Sequence, residues 1–240
     1  MIPAPAFLAN PERFMAFSRW AAPMFGVIAA ALAAAGLWLA FSVPPDYQQG
    51  ETVRIMFIHV PAAIMAMFIY ACLGGASLLS LVFRHVLADA AAEAAAPLGA
   101  GFTLLALVTG SLWGRPMWGT WWVWDARLTS VLVLFLLYLA YLALRASIDD
   151  EAKAARAGAI LALVGLVNLP IVHFSVDWWN SLHQGSTMLT PGALAPVYAT
   201  PLYLMLLAYL AAFGALWLVR IRGEVWRRRA EAAALRAARA

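Results

Sequence analysis

The sequence predicts an all-α, polytopic membrane protein with six transmembrane helices and both termini cytoplasmic. Three observations carry that prediction. The 240 residues are 65% hydrophobic and only 12% charged, against roughly 25% charged in an ordinary soluble domain. Six segments approach or exceed the roughly 20 apolar residues that a membrane-spanning helix needs. The basic residues, finally, crowd at one set of segment ends.

The spans are expected at about residues 21–43, 55–83, 97–113, 128–145, 157–173 and 198–219. Pro44-Pro45 ends the first, which reads as an uncleaved signal anchor. Cys72 sits inside the second and is expected to pack as a small hydrophobe. Pro97 is expected near the first turn of the third, where a missing N–H is tolerated. That span is short, and the tryptophan-rich stretch after it belongs to it in part. Asp149, Asp150, Glu151, Lys153 and Arg156 mark an aqueous break between the fourth and fifth. Residues 1–220 thus form one six-helix domain. Residues 221–240, rich in Ala, Arg and Glu, read as a basic cytoplasmic tail, a short helix at the inner surface serving retention and topology. No soluble domain, phosphate-binding glycine loop or catalytic constellation is visible, so the chain is expected not to be an enzyme.

Arg13, Arg19, Arg84, Arg145, Lys153, Arg156 and the tail arginines fall at one set of helix ends, and only Arg54, Arg115 and Arg127 at the other. The positive-inside rule puts the first set in the cytoplasm. Six spans then place the connections 1–2, 3–4 and 5–6 outside.

The 3–4 connection is the most unusual stretch of the chain. Residues 113–125 hold five tryptophans (Trp113, Trp118, Trp121, Trp122 and Trp124), broken by glycines and a proline and closed by Asp125. The segment is too interrupted for a regular helix and reads as a flat aromatic platform. Interfacial anchoring also enriches tryptophan, but spreads it over many helix ends. Trp20, Trp38, Trp217 and Trp226 fit that simpler role. A second aromatic pair, Trp178-Trp179, lies in the 5–6 connection.

The four histidines sort by side. His59 falls in the first outer turns of the second span, and His183 in the 5–6 connection. His173, after Pro170, is expected to cap the outer end of the fifth span. His85, beside Arg84, reads as a solvated inner boundary residue. A lone histidine near a helix end is ordinarily an interfacial or hydrogen-bonded residue, yet two beside an aromatic platform on one side form an uncommon set. Ionisable groups at membrane depth are expensive and usually functional.

Zinc does not suit this set, because a closed site takes four ligands, Cys72 is misplaced and no two histidines stand at i, i+4. Haem does. Its iron accepts two axial imidazoles from distant parts of a chain, and its plate stacks on indoles. Its propionates call for cations such as Arg54, Arg115 and Arg127, each of which alternatively anchors at the interface or pairs with Asp46, Glu51, Asp125 or Asp177. Two other classes stay open: a haem b electron-transfer or quinone-reactive subunit, and a haem-free scaffold of a transporter complex. The former ordinarily fixes haem between facing helices at similar depth.

Trp118-Gly119-Thr120-Trp121-Trp122-Val123-Trp124-Asp125 resembles the signature of the tryptophan-rich haem-handling proteins of cytochrome c biogenesis. Ile58-His59-Val60-Pro61-Ala62 and Leu182-His183-Gln184-Gly185-Ser186 narrow the likeness to the cytochrome c maturation protein C (CcmC, haem exporter protein C) family. The likeness runs from about Thr52 to about Leu206. It implies a multi-pass protein of the bacterial inner membrane that holds haem b on the periplasmic side, with His59 and His183 as the axial ligands. It further implies presentation of haem to a membrane-anchored chaperone of the CcmE type, which then bonds a haem vinyl group covalently. The implied partners are ABC transporter subunits of the CcmA and CcmB type and a small single-span subunit of the CcmD type.

Overall fold

A computed structural model describes residues 10–183, 185 and 194–238. Gln184, Ser186 and Arg239, used in the sequence reading, lie outside the described residues. The described residues form seven helices, α1 (Pro11–Ser42), α2 (Met56–Phe83), α3 (Val86–Trp118), α4 (Ala126–Ser147), α5 (Glu151–Gly165), α6 (Asn168–Trp178) and α7 (Pro196–Ala237). A 3-10 turn, Glu51–Ile55, leads into α2. Six helical segments are long and apolar enough to cross a membrane, with α5 and α6 together forming the fifth. The chain is a multi-pass, all-α membrane protein. That architecture follows from its solvent: in hydrocarbon every peptide group must bond within its own segment.

The third span departs most from expectation. It begins at Val86, not near Pro97, and Pro97 lies in the helix interior. Only Arg84, left-handed at φ 51°, and His85 separate α2 from α3. His85 lies at that boundary, half-buried, and has a further role as the N-cap of α3, its Nδ1 accepting from Ala88 N–H at 3.2 Å. Residues 86–96 look too polar to span because of Asp89 and Glu93. In the fold both carboxylates are neutralised by other helices. Arg145 of α4 reaches Asp89 at 2.7 Å and Glu93 at 2.6 Å. Arg228 of α7 reaches the same two at 2.6 and 3.1 Å, and also pairs with Glu224 one turn before it.

At its far end α3 runs on through Trp113, Pro116 and Trp118, so the first part of the tryptophan-rich stretch is regular helix. Gly119 ends it at φ 76°, a left-handed value that costs glycine nothing. The fifth span, expected as one helix, breaks at Leu166–Val167. Pro170 has no N–H to give the Leu166 carbonyl and its ring would clash there. The chain tightens instead, with Leu166 and Val167 donating to Leu163 and Val164 at 3.2 and 3.3 Å. Past the break, Asn168 Nδ2 donates to the Ser130 carbonyl of α4 at 3.0 Å.

The main core is built mostly by α2, α3 and α4, with Ala162 of α5 and Phe213 of α7 completing it. Met65, Ile69, Tyr70 and Leu73 meet Ala92, Ala95, Ala96 and Ala100, with Leu134, Tyr138 and Tyr141 beyond them. Alanines on α3 let neighbouring helices approach closely, as membrane packing without a hydrophobic drive requires. Tyr138 has its hydroxyl on the Ala66 carbonyl at 2.8 Å. The first and last helices, α1 and α7, pack along each other, and α7 continues unbroken into the segment read as a tail. Ile221 and Val225 are buried there against Leu87, Ala90 and Ala94. The result is a bundle whose α2, α4 and α7 N-termini and α3 and α6 C-termini share one end.

The Arg145 side chain is 7% exposed, and removing one partner of a buried ion pair costs about 3 kcal/mol or more. Arg145→Ala is therefore expected to destabilise the bundle by about that amount in equilibrium unfolding from mixed micelles. A loss under about 0.5 kcal/mol would mean that the cluster acts as an ordinary surface pair.

Candidate functional site

The end of the bundle that carries the tryptophans also carries His59 and His183, each held by its own set of neighbours. His59 lies in the first turn of α2, and α3 passes directly behind it. Its Nδ1 is 3.1 Å from both the Ala106 carbonyl and Thr109 Oγ1. A carbonyl only accepts, so the proton sits on Nδ1 and the Nε2 lone pair is left for a Lewis acid. The ring also meets Trp113 edge to face at 5.6 Å between centroids. Trp113 is fixed from behind, its Nε1 donating to Gln49 Oε1 at 3.0 Å.

His183 lies beyond α6, against the start of α4. Asp125 caps α4 by accepting from Leu128 N–H at 2.8 Å. Its other oxygen accepts from Ser181 Oγ at 2.6 Å and lies 3.4 Å from His183 Nδ1. Ser181 Oγ in turn accepts from the His183 backbone N–H at 3.1 Å. Burial, reinforced by the charge of Arg127, pushes the His183 imidazole below its ordinary value despite the opposing pull of Asp125. Burial alone would raise Asp125; the Ser181 hydroxyl, the Leu128 N–H and His183 outweigh it and hold the carboxyl below the usual range. Asp125 is thus an anion facing a neutral imidazole. Their contact is an N–H···carboxylate hydrogen bond that again fixes Nδ1–H and leaves Nε2 open.

Trp118 packs edge to face on His183 at 4.8 Å. The last turns of α3 therefore supply one indole to each histidine. The two histidines thus stand at one end of the bundle, each against an indole of α3. Val123, Trp124 and Asp125 from one connection and Asn180, Ser181 and Leu182 from the other line a cleft of about 360 Å³ next to His183.

The remaining tryptophans do not form a flat platform. Trp122 and Trp124 meet at 77° and Trp178 and Trp179 at 72°, so the aromatic faces turn against each other instead of lying in a plane. Trp121, Trp124, Trp178 and Trp179 are exposed, whereas Trp113, Trp118 and Trp122 are half-buried. Phe174 stacks on Trp178 at 5.3 Å, extending the second aromatic pair.

The three arginines at this end have different company. Arg127 donates to Ser175 Oγ at 3.0 Å and to the His173 carbonyl at 3.1 Å, tying α4 to α6. Arg115 donates to the Gly119 carbonyl at 2.7 Å and lies over Trp121. Arg54 pairs with Glu51 at 2.7 Å and sits over Phe41. Two buried donors, Arg54 Nε and Trp122 Nε1, have no acceptor among the described residues. His173 is not the expected cap: α6 continues to Trp178, and the His173 ring is exposed against Phe174. No group of three or more histidine, cysteine or acidic side chains fit to hold a bare metal ion occurs among the described residues.

Sequence reasoning missed Gln49, Thr109, Ser175 and Ser181, the residues that hold the predicted ones in place. Ser181 stands two residues before His183, and Thr109 interrupts an apolar run; these are the only local signals either gives.

Asp125→Asn is expected to keep the helix cap, since asparagine caps as well as aspartate. It replaces the acceptor facing His183 with an amide able to donate, which favours the Nε2–H tautomer and removes the open lone pair. The His183 ring nitrogens, read by 15N NMR of the purified protein, are expected to change from the Nδ1–H to the Nε2–H pattern. An unchanged pattern would mean that Asp125 does not orient His183.

A family model described as Heme exporter protein C matches residues 5–236 of the chain. The chain is 52% identical over 224 residues to the heme exporter protein C of Bradyrhizobium diazoefficiens, covering 92% of this chain and 85% of that protein. It is 47% identical over 219 residues to that of Escherichia coli strain K12, covering 91% and 89%. Over 235 residues it is 47% identical to that of Paracoccus denitrificans, covering 97% and 98%. Likeness of this extent, end to end and at this identity, settles the family: the chain belongs to the heme exporter protein C family.

Proposed function

We propose that this chain takes haem b as cargo at the tryptophan-rich end of its bundle, with His59 and His183 as the two axial ligands. The single observation that carries the reading is the state of the two imidazoles. Each has Nδ1 facing an acceptor, the Ala106 carbonyl in one case and the Asp125 carboxylate in the other. Both therefore offer Nε2, the arrangement of a metal-ligating histidine with its supporting partner in place. The names of the relatives support haem as the ligand.

The surroundings suit a haem better than a small ligand. Trp113 and Trp118 give an indole beside each ligand. Arg54 Nε and Trp122 Nε1 are buried donors awaiting an acceptor, and haem propionates are acceptors. Arg115 and Arg127 stand at the same end and add positive charge for them. The exposed rings of Trp121, Trp124, Trp178 and Trp179 give this end an apolar rim, with Trp124 lining the cleft.

The function is capture and hand-over within cytochrome c biogenesis. Basic residues crowd the opposite end, so the positive-inside rule turns the histidine end toward the periplasm and leaves both termini in the cytoplasm of a bacterial inner-membrane protein. The rim would expose one haem edge, and with it a vinyl group, to a membrane-anchored chaperone of the CcmE type. Trp124, Trp178 and Trp179 are placed for that contact. The sequence carries no phosphate-binding loop, so energy input falls to ABC subunits of the CcmA and CcmB type, assembled with a small CcmD-type subunit. This is binding and transfer without catalysis by the chain itself. The electron-transfer alternative lacks a second ligand pair at the other end, where His85 has its Nδ1 engaged as the cap of α3.

His59→Ala and His183→Ala, singly and together, test the reading in the purified protein and in cells carrying the chaperone. Each single variant is expected to lose the six-coordinate haem spectrum, and the double variant to lose the Soret band and covalent chaperone loading. Wild-type levels of both in the double variant would overturn the assignment. Rapid quinol reduction of stably bound haem would favour the electron-transfer reading instead.

A further inference from the structure

The face of α3 behind His59 is a single helical stripe: Ala106, Thr109, Gly110 and Trp113 stand at i, i+3, i+4 and i+7. All four touch or bound the imidazole. The Ala106 carbonyl and Thr109 Oγ1 both lie 3.1 Å from Nδ1. Thr109 is 8% exposed, and its hydroxyl proton is already engaged, donating to the Leu105 carbonyl at 2.7 Å. The oxygen facing His59 can therefore only accept. Gly110 supplies room: a Cβ there would stand 3.0 Å from His59 Cε1, closer than side chains ordinarily tolerate. Trp113 closes the top of the stripe with its edge-to-face contact.

The geometry points to Thr109 and Gly110 as positioning residues for His59: the threonine hydroxyl and the absent Cβ together fix the angle of the ring and aim Nε2 at the haem iron. The inference rests on His59 being an axial ligand. Thr109 acts by constraining the Nδ1–H vector between two acceptors, where the Ala106 carbonyl alone leaves the ring free to swing about one bond. Gly110 acts by letting the Nδ1–Cε1 edge of the ring approach α3 closely enough for Nδ1 to reach both acceptors.

The test uses the full chain in lipid nanodiscs loaded with haem, comparing Thr109→Val, Thr109→Ser, Gly110→Ala and His59→Ala with wild type. The readouts are the low-spin absorption and electron paramagnetic resonance signatures and the rate of haem loss to excess apomyoglobin. Thr109→Val matches threonine in shape and is expected to speed haem loss about tenfold and broaden the low-spin signal, while Thr109→Ser restores both. Gly110→Ala is expected to shift the same signals in the same direction. Wild-type loss rate and spectra in Thr109→Val and Gly110→Ala, with the signature abolished in His59→Ala, would overturn the positioning role and leave the ligand assignment standing. A wild-type signature in His59→Ala would overturn the ligand assignment itself. If Gly110→Ala fails to assemble, the valine and serine pair decides, because both keep the packing of α3. Equal behaviour of valine and serine would refute the hydroxyl's part.

Discussion

Hydrocarbon offers no partner to a peptide group, so each crossing of this chain must close its own hydrogen bonds as helix, and successive crossings must alternate in direction. Everything at the histidine end depends on that alternation. It brings the start of α2, the end of α3, the start of α4 and the end of α6 to one surface. Residues as distant as His59 and His183 then share a neighbourhood that no local sequence relation would give them. The length of α3 matters as much as its direction. Because the helix continues to Trp118, Trp113 and Trp118 are set on a rigid element and not on a loop, and each meets one of the two imidazoles.

The two ends of the bundle handle polarity in opposite ways. At the basic end, Asp89, Glu93 and Glu224 meet Arg145 and Arg228 in a closed network across α3, α4 and α7. At the histidine end the polar groups are satisfied on one side only. His59 and His183 have Nδ1 engaged and Nε2 open, and Arg54 and Trp122 each keep a buried donor without an acceptor among the described residues. The chemistry holding the imidazoles also differs: helix carbonyl and threonine hydroxyl for His59, aspartate and serine at the ends of two connections for His183. One imidazole is built into the packed bundle, and the other rests on segments at its surface.

Much of this was legible in the sequence, and the failures have physical causes. Hydropathy found the six crossings because burial in lipid demands long apolar runs. It misplaced the start of α3 because Asp89 and Glu93 look aqueous in a local window, and their neutralising arginines come from residues 145 and 228. It missed the break at Leu166–Val167, where composition stays apolar and only Pro170 warns of a carbonyl without a donor. The grouping of His59, His183 and the tryptophans at one end of the bundle followed from counting crossings and charges. The ring orientations did not, since the edge-to-face arrangement of Trp122 on Trp124 depends on tertiary packing. The supporting residues Thr109, Gly110 and Ser181 are ordinary in type; what distinguishes them is what stands opposite.

The central claim is that two neutral imidazoles, each with Nδ1 already engaged, offer Nε2 to one iron. Low-temperature electron paramagnetic resonance of the wild-type protein, purified in lipid nanodiscs and loaded with ferric haem, tests it most directly. The account predicts a single low-spin ferric species with the anisotropy of two imidazole ligands. A high-spin, five-coordinate signal, or haem that passes through the protein without a stoichiometric complex, would contradict it.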